Sequence, residues 1–291
     1  KYKLCDDMLT KLLKWIGEIE GKISSQNVVR ENEEELRNQI NTMKQVKDDL
    51  DQHASQVSHC GDQVRQLVLT GGDVLSKSEV SALEKSGRNL KSRYDKAVDR
   101  SEKLLKKLFA ARDELFKLKG ELNNFSTWLN KARRILEEKE RSLSDLQKLD
   151  SSTDSTKEFV SDVIAHQADL RFITMAAQKF FDESKEYLNV LNEFRTSLPS
   201  RLPHIEPLSS QDSPVRNEVS YVTQQYRDLL HRANNLSDRL SGVGSRQRDY
   251  SDAIDKARQW MRDVEPKVNK VLNEPIAGDP KGVEDQLNKA K

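Results

Sequence analysis

The sequence predicts an all-α fold of tandem three-helix bundles, joined by continuous helices into an elongated rod. Three observations carry this expectation. A third of the 291 residues are charged, only 35% are hydrophobic, and glycine and proline are scarce, which is a helical composition. From Leu83 to Leu136, alternating steps of four and three residues land on sixteen positions, fourteen of them apolar counting Tyr94, with no proline in between. Such a stripe keeps one narrow face of a helix against partner helices over many turns. At about 1.5 Å per residue that helix is roughly 80 Å long, too long for the core of one compact domain. Its first half is therefore expected to pack with earlier chain and its second half with later chain. The third observation is tryptophan, which occurs three times at one phase of the stripe: Leu12-x-x-Trp15-Ile16, Phe125-x-x-Trp128-Leu129 and Ala257-x-x-Trp260-Met261. These nine residues are the expected structural core, and their recurrence marks an internal repeat.

In chain order, Tyr2 to Ser24 carries Cys5, Leu9, Leu12, Ile16, Ile19 and Ile23 at heptad spacing and predicts the first helix. Asn32 stands three residues before Glu35 and is expected to cap a second helix running to about Leu69, with Glu33 and Glu34 favourable to its dipole. Thr70, Gly71 and Gly72 end it. Ser76 and Glu79 have capping-box spacing and launch the long bridging helix. Ser142 to Ser155, rich in Ser, Asp and Thr, predicts a loop with at most one turn in Leu143 to Leu149. Ser155 and Glu158 repeat the capping-box spacing, and from Phe159 a stripe through His166, Phe180 and Tyr187 to Leu198 predicts one long antiparallel partner.

All seven prolines follow Leu198, and four of them fall in the sixteen residues from Pro199 to Pro214, so a long loop spans about 197–214. Ser213 and Pro214 suit the cap and first position of another helix, whose stripe runs from Val219 through Tyr226, Leu236, Leu240 and Tyr250 to Val271. A loop at Asn273 to Asp279 and a helix opening after Pro280 complete the pattern. The predicted domains are 1–111, 112–243 with the proline loop, and 244–291 as the first helix and the start of the second helix of a third unit. The Trp spacings, 113 and then 132 residues, differ by an amount assigned to the proline loop and a longer Ser/Asp loop in the second unit.

Three helices per unit, a Trp flanked by apolar heptad residues in the first helix of each, and a continuous helix between units resemble spectrin repeats over essentially the whole chain. The segment from Arg246 through Asp255-Lys256-Ala257-Arg258-Gln259-Trp260 to Glu274-Pro275-Ile276-Ala277-Gly278-Asp279-Pro280, with His231-Arg232-Ala233-Asn234-Asn235-Leu236, resembles the rod of a spectraplakin, a family of giant linkers between actin and microtubules. Spectrin, dystrophin and nesprin rods share the repeat logic. The resemblance implies a structural spacer and scaffold in the cytoplasm, associated with the cytoskeleton and monomeric as a fragment. Actin and microtubules would then be bound through other domains, and a protein-docking surface on the repeats is the alternative role.

The charge pattern excludes other classes. Lysine plus arginine exceed aspartate plus glutamate by 49 − 48 = 1, so no global basic field invites nucleic acid. No apolar run approaches the roughly 20 residues needed to span a bilayer, and no signal peptide opens the chain, so the expectation is a protein neither inserted in a membrane nor secreted. A membrane-bending bundle would need a basic concave face, and a dimeric coiled-coil stalk would not break at Gly71-Gly72 or at the prolines. Cys5 and Cys60 lack metal-like spacing and are expected to be buried free thiols. His166 sits on its stripe with no ligand partner at metal spacing, and His53 and His59 lie at different helix phases, so no metal is expected. Arg100, Lys103, Lys106 and Lys107 form a basic cluster diluted by Asp99 and Glu102, expected to be a solvated face. Ser151 to Thr156 and Ser209 to Ser213 are loop segments open to phosphorylation on composition alone. No glycine-rich phosphate cradle, zinc motif or nucleophile elbow occurs, and no catalysis or cofactor is expected.

Overall fold

A computed structural model describes residues 1–71, 74–143, 149–273 and 277–290. Among them are seven helices and no strand: α1 (Tyr2–Ser24), α2 (Glu33–Thr70), α3 (Lys77–Ser142), α4 (Leu149–Ala165), α5 (Gln167–Ser197), α6 (Pro214–Asn273) and α7 (Pro280–Ala290). The protein is all-α. Two compact units divide the chain, one of Lys1–Asn130 with His166–Arg227, the other of Lys131–Ala165 with Asp228–Lys291.

Local chemistry starts these helices where the sequence places them. The Asn32 side chain accepts hydrogen bonds from the backbone N–H groups of Glu34 at 3.0 Å and Glu35 at 3.2 Å, satisfying two of the orphan donors of α2. Ser76 and Glu79 form a reciprocal box ahead of α3: the Glu79 carboxylate accepts from the Ser76 N–H at 2.8 Å, and the Ser76 hydroxyl accepts from the Glu79 N–H at 3.2 Å. Ser76's donors hold the Glu79 carboxyl below its ordinary pKa. Gly72, which shared the predicted stop of α2, lies outside the described residues.

In the first unit, α1, α2 and the N-terminal half of α3 form one three-helix bundle. Its core is the predicted stripes: Leu9, Leu12, Ile16, Ile19 and Ile23 of α1 face Leu36, Ile40, Met43, Leu50 and Val57 of α2, all buried. Burying each such side chain contributes about 1.5–3 kcal/mol. Fifteen of the sixteen stripe positions of α3 are buried as well, the exception being Gly87. There a Cβ would come within 3.2 Å of Val64, so glycine lets α2 and α3 approach closely. Polar groups that enter this core find partners. Ser101, fully buried, donates to the Val98 carbonyl at 3.0 Å, and the Tyr94 hydroxyl donates to the Leu50 carbonyl at 2.8 Å. Glu20, 8% exposed, is paired with Arg93 across α1 and α3.

The same unit contains a second set of packed helices: α3 from about Ser101 to Asn130, α5, and α6 as far as Arg227. Lys119 of α3 pairs with Glu218 of α6 at 2.9 Å, Lys107 of α3 with Glu186 and Glu183 of α5, and the Arg216 guanidinium lies 4.0 Å from the Phe181 ring centroid. Phe180, Tyr187, Leu191 and Phe194 of α5 supply the buried face. In the other unit, Ala132 and Leu136 of α3, Phe159 and Val163 of α4, and Ala233, Leu236 and Leu240 of α6 are buried, and Arg232 forms a bidentate pair with Glu140.

Several expectations need correction. Helix α4 begins at Leu149, so Ser151 to Thr156 are helical and not part of a loop; residues 144–148 of the predicted loop and its single turn lie outside the described residues. Ser155 is inside α4, and its hydroxyl accepts from the Lys139 ammonium at 2.5 Å instead of capping a helix. Phe159 and Val163 are buried, and that burial outweighs the weak helix preference of the Ser, Thr and Asp residues between Leu149 and Glu158. The long helix predicted from Phe159 to Leu198 is broken at His166, whose backbone sits at φ −69°, ψ −6° between α4 and α5. Ala257, Trp260 and Met261, named as core, are exposed, Trp260 by 65% and Met261 by 54%. Among the described residues of α6, Leu240 is the last buried apolar one, and a heptad stripe alone does not bury itself without helices packed against it. The predicted loop at Asn273 to Asp279 includes residues 274–276, which lie outside the described residues.

Candidate functional site

The residues that distinguish this chain from a generic helical bundle gather in two places of the first unit: around each half-buried tryptophan, and where the two sets of helices meet along α3.

Trp15 of α1 stacks on His53 of α2, with ring centroids 3.9 Å apart and planes inclined by 15°; its indole N–H donates to the Asp49 carboxylate at 3.3 Å. Trp128 of α3 stacks on His166 at 3.7 Å and 7°. Each pair has a tyrosine beside it, Tyr94 at 6.3 Å from Trp15 and Tyr226 at 6.2 Å from Trp128. Leu12, Ile16, Phe125 and Leu129 lie buried next to the two indoles. The histidines, expected only as core or edge residues, are thus aromatic partners of the tryptophans.

A signal for this pairing lies in the spacing: Trp to His is 38 residues in both cases. Tyr94 follows His53 by 41 residues and Tyr226 follows His166 by 60, a difference of 60 − 41 = 19. From tyrosine to the next tryptophan is 34 residues both times. The whole difference between the Trp spacings therefore falls between His166 and Tyr226, where the proline segment lies, and the Ser/Asp segment contributes none of it.

The second place is the junction. Leu104, Leu108, Ala111, Leu115 and Leu118 of α3 are at most 1% exposed as the helix leaves the α1–α2 bundle and enters the α5–α6 packing. Three polar clamps surround it. The Glu31 carboxylate, in the α1–α2 connection, accepts from the Ser213 hydroxyl at 2.9 Å and from the Val215 N–H at 3.0 Å, and so caps α6 from a distant part of the chain. A carboxylate there also complements the positive end of the helix dipole. Ser213 caps α6 on its own account, accepting from the Arg216 N–H at 3.2 Å. The Arg195 guanidinium of α5 donates to the carbonyl of Ser24 at the end of α1 and, through two further N–H groups, to the Pro203 carbonyl at 3.1 and 3.2 Å. Asn192, 9% exposed, reads the backbone of Ile205 in both directions, accepting from its N–H at 2.8 Å and donating to its carbonyl at 3.0 Å.

The proline segment is therefore a strap tied to α5 and, through Ser213, to the α1–α2 connection. Arg201 turns it with a positive φ of 42°. Of the predicted basic cluster, Lys107 is held by Glu186 first and Glu183 second, which raise its pKa, and Arg100 is paired with Asp99 and Glu193. Lys103 is paired with Asp99. Three of the cluster's four cations are thus paired locally, and Lys106 is exposed.

Among the described residues, no group of three or more His, Cys, Asp or Glu side chains could hold a metal ion, and no helix is long and apolar enough to cross a membrane. Cys5 and Cys60 are free and buried, and burial, together with the nearby Cys5, pushes the Cys60 thiol up to about 11.

Residues 5–108 match the family model of the spectrin repeat. Over 221 residues, 76% of the chain, it is 27% identical to human microtubule-actin cross-linking factor 1, isoforms 1/2/3/4/5. The mouse counterpart is 27% identical over 217 residues, 75% of the chain. Mouse nesprin-2 is 22% identical over 272 residues, 92% of the chain. The chain spans only 3% of the length of the two cross-linking factors and 4% of nesprin-2. With the three-helix packing and the recurring Trp–His stack, these matches identify residues 5–108 as a spectrin repeat and show a likeness to microtubule-actin cross-linking factor 1 and nesprin-2 over most of the chain.

Proposed function

We propose that the chain is a non-enzymatic structural spacer and scaffold segment of a giant cytoplasmic linker, with spectrin-like repeats at 1–111 and 112–243 and the opening of a third at 244–291. Its task is to hold functional modules apart and to pass force between them; in a linker of the microtubule-actin cross-linking type those modules bind actin and microtubules. The single observation that supports this reading best is α3, whose buried stripe runs without a break from one set of partner helices to the next. A continuous helix resists bending better than a flexible linker does. A nesprin-type linker is the second reading, favoured by the 92% of the chain that aligns with nesprin-2. In either setting the segment acts as a monomer, and sedimentation at micromolar concentration checks this.

The test is mechanical continuity at the junction. Lys106 is exposed on α3, and Lys106→Pro removes a helix hydrogen bond and clashes with the preceding turn, at a cost of about 3 kcal/mol. With 5-fluorotryptophan, ¹⁹F spectra follow Trp15 and Trp128 separately through urea unfolding. Coincident midpoints are expected in the unmodified chain and separated midpoints in K106P. Separate midpoints before the substitution, or coincident ones after it, refute the spacer reading.

A further inference from the structure

Beside the Trp128–His166 stack the surface opens into a cleft of about 370 Å³, whose lining includes Glu121, Phe125, Trp128, His166, Asp169 and Phe172. Two carboxylates lie among its walls, but no lysine or arginine does. Asp169 is 3.8 Å from the His166 ring nitrogen and stands largely in solvent. Phe172 is 58% exposed, and Met175, one turn further along α5, is 55% exposed. Two large apolar side chains one turn apart are thus left in water on the helix that lines the cleft, and core packing does not require them there.

The first bundle supplies an internal control. Trp15 and His53 stand 113 residues before Trp128 and His166, so the same offset maps the cleft onto the first bundle. Where the second has Glu121, Asn124, Asp169 and Phe172, the first has Met8, Lys11, Gln56 and His59. The stack recurs without these residues, so the stack does not need them. The acidic, aromatic lining is an addition specific to the second bundle.

The geometry points to this cleft as a docking site for an arginine side chain on an extended segment of a partner protein. Charge complementarity selects a cation, because two carboxylates line a site that holds no lysine or arginine, its one imidazole, His166, being stacked on Trp128. The aromatic walls select the guanidinium among cations: it is planar, stacks on ring faces, and its fork pairs with carboxylates, whereas a lysine ammonium is a compact and strongly hydrated point charge. The volume falls in the range of ligand pockets, about 300–1,000 Å³, and Phe172 with Met175 offers an apolar rim to the residues flanking the arginine.

The probe is a blocked nonapeptide with one central arginine between serine and leucine residues, and its twin carrying neutral citrulline at that position. The full chain with 5-fluorotryptophan reports binding at each indole. The Trp128 resonance is expected to shift saturably with the arginine peptide while Trp15 and Trp260 stay in place, and the citrulline twin is expected to bind at least tenfold more weakly. E121Q/D169N is expected to lose at least tenfold in affinity, and F172A to weaken binding too, with melting curves unchanged because all three side chains are exposed. Transfer of the lining into the first bundle, M8E/K11N/Q56D/H59F, is expected to make Trp15 respond, which keeps the test valid if a second-bundle variant misfolds. No Trp128 shift at millimolar peptide overturns the proposal. So does equal binding of the citrulline twin, unchanged affinity in E121Q/D169N, or a Trp128 shift that follows protein concentration alone and so reports a second copy.

Discussion

Glu31→Ala removes the carboxylate that caps α6 from the α1–α2 connection, and the structure sets the size of the effect. Ser213 is 1% exposed and Val215 fully buried, so neither the hydroxyl nor the N–H at this helix start has ready access to replacement water. A hydrogen bond to a charged group contributes about 1.5–3 kcal/mol, the loss of a cap costs about 0.5–2, and the helix-dipole term adds about 0.3–1. Glu31 is only half-buried and Ser213 keeps its own bond to the Arg216 N–H, so the lower part of these ranges applies: about 2–3 kcal/mol for E31A, or a melting point roughly 5–10 °C lower. Glu31→Gln retains an acceptor oxygen and is expected to lose about half as much. The assay is urea unfolding read at Trp15 and Trp128, in a cycle of E31A, S213A and the double variant. Glu31 belongs to the first bundle and Ser213 to the start of α6, so a coupling of at least about 1 kcal/mol shows that one bundle stabilises the other through this contact. Additivity within about 0.5 kcal/mol shows that the two groups are independent and refutes the cap.

Three other outcomes follow from burial. Trp128→Ala empties a position stacked on His166 and flanked by Phe125 and Tyr226, and should cost about 3–4 kcal/mol in calorimetry, whereas Trp260→Ala, at an exposed site, should stay within about 0.5. The Tyr187 hydroxyl is buried with no hydrogen-bond partner, so Tyr187→Phe should stabilise by about 1–2 kcal/mol; a loss of stability would show that the hydroxyl is satisfied. Stability should fall on the alkaline side. The Cys60 thiol ionises near 9 when exposed and is pushed to about 11 by burial, and burial likewise raises Tyr187. Between these values the unfolded chain binds fewer protons than the folded one, so the stabilisation is complete below pH 9 and is lost as pH rises through 11. Cys60→Ala should flatten that slope by on the order of 2 kcal/mol across the window.

What the residues determined by themselves is everything set by short-range chemistry and by periodicity. The four-three stripe of α3 placed its buried face correctly across the junction, because a helix carries each apolar side chain to a position given only by its spacing. Asn32, the Ser76–Glu79 box and the Ser213–Pro214 start are caps that act within three residues, so they too were legible. The recurring tryptophan announced the repeat. The histidine beneath it was visible only as a matching 38-residue interval, since nothing local distinguishes a stacked imidazole from a solvated one.

Tertiary structure decided what depends on groups far apart in the chain. Glu31 reaches a helix start 182 residues away from it, and no window of sequence contains that contact. The proline strap was readable as a break in helix, but its order comes from Asn192 and Arg195, whose side chains find its carbonyls only once α5 is in place. The early start of α4 likewise follows burial of Phe159 and Val163, which outweighs local propensity. The same cause explains the three tryptophans: equivalent in pattern, they differ in exposure because a stripe is buried by its neighbours and not by its own spacing.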